Sequence, residues 1–298
     1  PGAGPTFLRW RAGPEAACAA LGAHVAAELL MTEEDADDLV DFGSVQVNGR
    51  AERDPARRLE GGEEIRVWKP WGGTRRSYEI DPARILFRDP YLLAYDKEPG
   101  IPSQQTPSDA HNNLYAAILR HLKKTGAAPY AALHHRLDRE TGGVMVFALD
   151  RSVNRRLGET FQAHEAVKEY LLWASGNPPS GIWVSREDIG RAAGRYCACQ
   201  PGRGKPAETS FRVLHREGDR FFALARPLTG RTHQIRLHLA ACGCPVLGDR
   251  LYGGKEAVRL YLHAFRLELP HPVTGARLLL AAPLPPEWPL PPPSAIPG

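Results

Sequence analysis

Side chains able to do chemistry are densest in one stretch, His134-His135-Arg136-Leu137-Asp138-Arg139-Glu140-Thr141-Gly142-Gly143. Asp138 stands between Arg136 and Arg139, and flanking cations favour an ionised carboxylate. The paired glycines let backbone come close to a ligand. An ionised carboxylate in such a loop suits nucleophilic attack on an anionic substrate. Two other chemistries use the same residues. Asp138 and Glu140 form a possible carboxylate pair for a glycosidase or nucleosidase, which requires a set separation. Thr141-Gly142-Gly143, however, reads as a loop rather than as a strand that would put both on one face. His134 and His135 offer metal-ligand spacing to Asp138 without a third ligand at regular spacing, so stacked or hydrogen-bonded histidines are expected. By local sequence alone, the charged cluster is equally a surface ion-pair group.

The elements around this stretch are legible from their patterns. Val144-Met145-Val146-Phe147-Ala148-Leu149 is an apolar, β-forming run that reads as a buried strand, with the charged segment at its mouth. Ile85 to Tyr95 reads as two strands about the Asp89-Pro90 turn, followed by a helix capped near Asp109 with Leu114, Ile118 and Leu122 facing the core. Ser152 to Ala163 reads as a helix, Lys168 to Trp173 as a strand, and residues 175 to 205 as irregular. Strands are expected around Phe211 and Phe221. Leu228 to Ala240 reads as one capped helix with Arg231, Gln234 and His238 on a shared face. His233 and His238, five apart, do not share a face, which argues against a paired ligand role.

Ahead of these lies a smaller pattern. Residues 14 to 30 read as a helix, Thr32 caps a second that stops at Gly43, and Ser44 to Val47 with Asn48-Gly49 reads as a tight hairpin before a strand near Glu64 to Trp68. The expected organisation is a module over 14–69, a link over 70–83 bearing Arg75 and Arg76, and a larger domain over 84–290. The Pro-rich tail from Pro283 has too little apolar content to fold alone.

Several of these segments together resemble a known family. His135-Arg136-Leu137-Asp138, with Thr141 and Gly143, resembles the H-R-L-D-x-x-T-S-G signature of the RluA-type pseudouridine synthases, with Gly142 where the family usually has Ser. Lys168-Glu169-Tyr170 resembles its K-x-Y element, and Gly230-Arg231-Thr232-His233-Gln234-Ile235-Arg236-Leu237-His238 its G-R-T-H-Q-I-R-x-H element. Gly204 to Phe211, Gly248 to Gly253 and the segments at Leu262 and His271 match further elements in order, over roughly 200 residues. The resemblance implies an α+β catalytic domain with a mixed, largely antiparallel sheet, and an isomerase that detaches uracil and rejoins it through carbon. It implies Asp138 as the catalytic carboxylate, Arg231 as the arginine paired with it, Tyr170 packing on the base, and Arg136 helping to displace the base from its stack. The first module resembles an S4-type RNA-binding module. Its second helix, Glu33-Glu34-Asp35-Ala36-Asp37-Asp38, has the sign that repels phosphate.

Composition fits these expectations. At 298 residues and 43% hydrophobic, the chain is of globular type, and no apolar run approaches the ~18 residues that span a bilayer. Pro1 to Trp10 lacks the order of a signal peptide, so the cytoplasm is expected. Five cysteines do not suggest a disulfide framework, and both Cys-x-Cys pairs are tighter than common zinc spacing, so no metal is expected. No phosphate-cradling or dinucleotide glycine motif is present and the isomerisation consumes no outside reactant, so no cofactor is expected. Residues 1 to 81 carry ten Lys and Arg against fifteen Asp and Glu, while residues 82 to 298 carry 28 against 19. A polyanionic partner is therefore expected at the second part. The resemblance implies that this partner is structured RNA, ribosomal ahead of transfer RNA, and a monomer is expected. A non-catalytic RNA-binding or assembly protein that keeps the fold is the alternative.

Overall fold

The computed structural model describes residues 7–70, 73, 74, 76–289, 291, 292, 294 and 296. Residues 71, 72 and 75 of the expected link, the first six residues and parts of the Pro-rich tail lie outside the described residues. The chain forms two compact units, one of residues up to 80 with 102–129, the other of residues 81–101 with 130–298.

The first unit orders as strand β1 (Phe7–Arg11), helices α1 (Leu21–Leu29) and α2 (Glu33–Asp41), strands β2 (Val45–Val47), β3 (Arg50–Glu52) and β4 (Glu64–Trp68), and helix α3 (Leu114–Lys124). Its sheet runs β1-β4-β2-β3. Thr32 caps α2 by accepting a hydrogen bond from the Asp35 amide at 3.1 Å, and Asn48-Gly49 turns the β2–β3 hairpin with both residues at positive φ. The helix expected from residue 14 begins only at Leu21. The chain before it pairs with residues 57–59, Cys18 donating to the Leu59 carbonyl and Leu21 to that of Arg57, and Cys18 takes φ +67°. Tertiary pairing there overrides helix propensity. α3 is likewise capped by Asn113, whose Oδ1 accepts from the Ala116 amide, while Asp109 binds the amides of His111 and Asn112 in a turn before it.

The second unit is built on a ten-stranded sheet among the described residues. It comprises β5 (Ile85–Arg88), β6 (Leu92–Lys97), β7 (Ala132–Leu133), β8 (Gly142–Ala148), β9 (Val167–Ser175), β10 (Ile182–Ser185), β13 (Thr209–Glu217), β14 (Arg220–Pro227), β15 (Leu262–Pro270) and β16 (Arg277–Ala281). A separate ribbon pairs β11 (Asp188–Ala192) with β12 (Arg195–Cys199), and the helices are α4 (Asn154–Gln162) and α5 (Gln234–Ala241). The sheet order is β10-β13-β14-β9-β15-β8-β6-β5, with β16 on β15 and β7 on β8. Among the described residues every pairing in this sheet is antiparallel except β8 with β15. This is the mixed, largely antiparallel α+β architecture that the motifs imply.

All seven residues of β8 are buried, as suits a central strand covered on both faces. Leu157 of α4 packs with Leu92, Val144 and Val146, while Ile235 and Leu239 of α5 pack with Phe211, Phe221 and Ala223. Trp288 of the Pro-rich tail joins Trp173 and Tyr261, and the Trp173 indole donates to the Pro289 carbonyl at 2.9 Å. The tail folds on the sheet rather than alone.

Two stretches differ from the expected elements. Residues 182–199, expected to be irregular, form β10 and the β11–β12 ribbon. Their burial is partial and their composition rich in Gly and Arg, so apolar alternation is weak. The helix expected over 228–240 starts at Gln234, because Thr229 to His233 form a turn held by the Gln234 side chain. Its Oε1 accepts from the Thr229 hydroxyl and the Arg231 amide, and its Nε2 donates to the Glu208 carbonyl and the Thr209 hydroxyl.

Candidate active site

Asp138 sits in the loop that enters β8, and the loop's shape is fixed from several sides. The Asp138 carbonyl accepts from the Thr141 amide at 3.1 Å. Fully buried Lys97 donates to the carbonyls of Glu98, Ile101 and Arg139 at 2.7, 2.7 and 3.1 Å, tying the residue after Asp138 to the end of β6. Burial brings the Lys97 pKa down to about 7, against the opposing pull of Glu98, Glu140 and Asp138. Gly143 passes Ala264 so closely, at φ +114°, that a Cβ would lie 2.2 Å from the Ala264 carbonyl oxygen. Only glycine fits there. At Gly142 a Cβ would stand 3.0 Å from the Lys97 carbonyl oxygen, 3.4 Å from Pro99 Cδ and 3.5 Å from Arg259 Nη2, so a serine there would need its neighbours to give by a few tenths of an ångström.

The histidines of the loop serve the fold. His135 Nε2 accepts from the Val146 amide at 3.0 Å and its ring stacks on Phe161 at 4.9 Å, where burial pushes its pKa down to about 3 and keeps it neutral. His134 Nε2 lies 3.4 Å from Asn154 Oδ1. Arg139 donates to the Gly100 carbonyl at 2.8 Å, while Arg136 is exposed beside the loop.

The sheet brings Tyr170 to the same place. Gly143 pairs with Ala264 across β8 and β15, and Ala264 pairs with Tyr170 across β15 and β9. Three residues in one row thus align the exit of the Asp138 loop with the tyrosine. Burial, then the negative charge of Asp138, push the Tyr170 phenol above its ordinary pKa, so it is held protonated.

The cation that faces Asp138 is Arg236, not Arg231. Arg236 Nη1 lies 3.5 Å from Asp138 Oδ2, while its Nε and Nη2 bind both oxygens of Asp249 at 2.7 and 2.8 Å. Asp249 is buried and also accepts from the amides of Leu251 and Tyr252, so a fixed carboxylate aims the guanidinium. Arg231 is exposed and donates from Nε to the Pro206 carbonyl at 3.0 Å. The reason is the late start of α5: Arg231 lies in the turn, and the first helical turn instead carries Arg236 inward. His233, just before α5, places Nε2 3.9 Å from Asp138 Oδ1. His238 is enclosed, with Nδ1 on Thr209 and Nε2 on the Glu187 carbonyl, both at 3.0 Å, and acts in packing.

The structure thus brings Asp138 and Tyr170 together and leaves Arg136 exposed beside the loop, while Arg236, anchored on Asp249, and His233, which face Asp138, were not among the candidates that the sequence offered. A signal for Arg236 was present: in Ile235-Arg236-Leu237-His238-Leu239 a charge stands within an apolar helical run, and a buried charge requires a partner.

Residues 91–241 match the RNA pseudouridylate synthase family model, a span that contains Asp138, Tyr170 and Arg236. A ribosomal large subunit pseudouridine synthase D from Nitrosomonas europaea is 34% identical over 77% of this chain and 70% of its own length. A dual-specificity RNA pseudouridine synthase RluA from Salmonella typhimurium is 32% identical over 67% of this chain and 92% of its own. Among solved structures, human RNA pseudouridylate synthase domain containing 4 superposes with a TM-score of 0.58 at 25% identity, covering 68% of this chain and 89% of that one. Matched along most of its length by such relatives, the chain belongs to the RluA-type pseudouridine synthases, isomerases that act on RNA.

Proposed function

We propose that this enzyme isomerises specific uridines of structured RNA, ribosomal ahead of transfer RNA, with Asp138 as the catalytic carboxylate and without a cofactor. The observation that carries the reading is the Asp249–Arg236–Asp138 chain beside Tyr170, an anchored cation holding one carboxylate at a half-buried site. The reaction balances within the substrate: the N1–C1′ bond breaks, the uracil turns, C5 bonds to C1′, and the C5 hydrogen is released as a proton while N1 gains one. Asp138 is the group that adds at sugar or base and departs again. Tyr170 stacks on the base and serves the final proton transfer. Its phenolate is disfavoured beside the Asp138 anion, and an adduct that neutralises Asp138 relieves that repulsion. Arg136, exposed beside the loop, helps to displace the target base, at an unstacking cost on the order of a few kcal/mol that is least in loops and bulges.

Relatives named for the large ribosomal subunit support a ribosomal substrate. In this reading residues 14–69 form an S4-like module that does not grip RNA through α2, where Glu33, Glu34 and Asp35 repel phosphate, and the enzyme acts as a cytoplasmic monomer. The test is incubation of the protein, beside its Asp138→Asn variant, with total RNA from a strain lacking it, followed by chemical mapping of pseudouridine. A site formed only by the unaltered protein is expected. Equal modification by the Asn variant removes Asp138 from the chemistry.

A further inference from the structure

We propose that His233 is a positioning residue for Asp138, presenting a second N–H to its carboxylate in the tautomer that the Tyr252 hydroxyl selects. The inference rests on Asp138 as the reacting carboxylate. Arg236 Nη1 faces Oδ2 at 3.5 Å, and an aspartate held at one oxygen still turns about its broad terminal torsion. His233 Nε2 faces the other oxygen, Oδ1, at 3.9 Å. A donor at each oxygen defines the carboxylate plane. The gap is about 1 Å beyond hydrogen-bond length, within reach of a small rotation of Asp138.

The imidazole is held between two tyrosines. Tyr252 lies on one side, its hydroxyl 2.7 Å from Nδ1 and its ring 5.6 Å from the imidazole at 71°. Tyr196, on the β11–β12 ribbon, meets the ring edge-on at 5.9 Å and is itself covered by the Arg191 guanidinium at 4.4 Å. The backbone of His233 is left-handed, φ +57°, a conformation unfavourable for a non-glycine residue that persists only where the surroundings fix the residue.

The tautomer follows from the partners. A bare Nε2 lone pair facing a carboxylate oxygen is repelled, so the proton of the neutral ring belongs on Nε2 and Nδ1 accepts from Tyr252. Burial pushes the Tyr252 phenol up to about 12, so it has a proton to give. Around the ring stand Asp138 and Asp249, which favour its cation, and Arg236 and Arg136, which oppose it. Burial dominates and holds His233 below its ordinary pKa.

Turnover on the RNA that the pseudouridine mapping singles out tests the idea with Tyr252→Phe, His233→Ala, His233→Gln and Asp138→Asn. Tyr252→Phe keeps the ring packing and loses only the hydroxyl. It is expected to lower kcat about tenfold, the worth of roughly one hydrogen bond, with KM within about twofold and an unchanged melting temperature. His233→Ala is expected to lose more, and His233→Gln, whose amide returns an N–H, to recover at least about threefold of that loss. Unchanged kcat in both Tyr252→Phe and His233→Ala, with Asp138→Asn inactive, overturns this inference alone. So does a Gln variant no better than Ala with KM raised and melting temperature lowered together. An active Asp138→Asn overturns the inference and the functional reading together.

Discussion

Replacing Arg236 with lysine separates charge from shape. The guanidinium uses three nitrogens on two carboxylates, Nε and Nη2 on Asp249 and Nη1 on Asp138 at 3.5 Å. An ammonium is a point charge that cannot serve both. Settled on buried Asp249, it would stand roughly 6 Å from Asp138, its shorter stem and single nitrogen giving no second reach. At an effective dielectric constant of about 20, a unit pair gains about 5 kcal/mol at the observed spacing and about 3 kcal/mol at the longer one. The difference of about 2 kcal/mol in holding Asp138 corresponds to roughly 30-fold in rate. The assay is single-turnover release of tritium from RNA labelled at uridine C5, since joining C5 to the sugar expels that hydrogen. Thermal unfolding run alongside reports any loss of fold. Arg231→Ala should stay within a few-fold of the unaltered enzyme, because that side chain faces the Pro206 carbonyl. An Arg236→Lys enzyme at full rate, with Arg231→Ala crippled, would refute the geometric assignment.

Other outcomes follow from the same structure. Tyr170→Phe should keep RNA affinity through stacking; loss of turnover under the tritium assay would assign the hydroxyl to proton transfer, and full turnover would confine it to packing. Gly143→Ala should cost roughly 3 kcal/mol or more from positive-φ strain and overlap with the Ala264 carbonyl, visible as a melting temperature lowered by several degrees, and an unchanged melting point would contradict the close passage of β8 and β15. Asp89 is partly buried, which raises its pKa, but bonds from the Leu92 and Tyr91 amides and from His271 outweigh this and hold it low. The stability it supplies is therefore present above the ordinary aspartate range and fades as pH falls through its depressed value. Denaturant titrations of Asp89→Asn should show a deficit near pH 7 that shrinks in acid; a deficit independent of pH would argue against the pairing with His271.

The strand β8 was legible because it rests on local pattern, an apolar run, although it also takes in Gly142 and Gly143, which read as loop. The α2 cap at Thr32 and the Asn48-Gly49 hairpin were legible for the same reason. The failures share the opposite cause. Residues 14–20 have helical composition but pair with a segment about forty residues away, and the Thr229–His233 turn exists because Gln234 reaches back to hold it. Choosing between Arg231 and Arg236 depended on where α5 begins, and that start is set by side-chain hydrogen bonds that periodicity does not report. The β11–β12 ribbon escaped notice because it buries little, so hydrophobic alternation had nothing to mark.

The parallel pairing of β8 with β15 has a consequence for how the enzyme comes into being. Gly142 and Gly143 find their neighbours at His263 and Ala264, about 120 residues later in the chain, and loop closure over such a span is slow compared with hairpin formation. The β5–β6 and β13–β14 hairpins can form while synthesis proceeds. The Asp138 loop cannot be tied down at its exit until the strand beginning at Leu262 has left the ribosome. Nascent chains that stop short of it carry Asp138 and the residues around it yet lack the strand that pins the loop's exit, so the pocket around Asp138 is assembled late in translation.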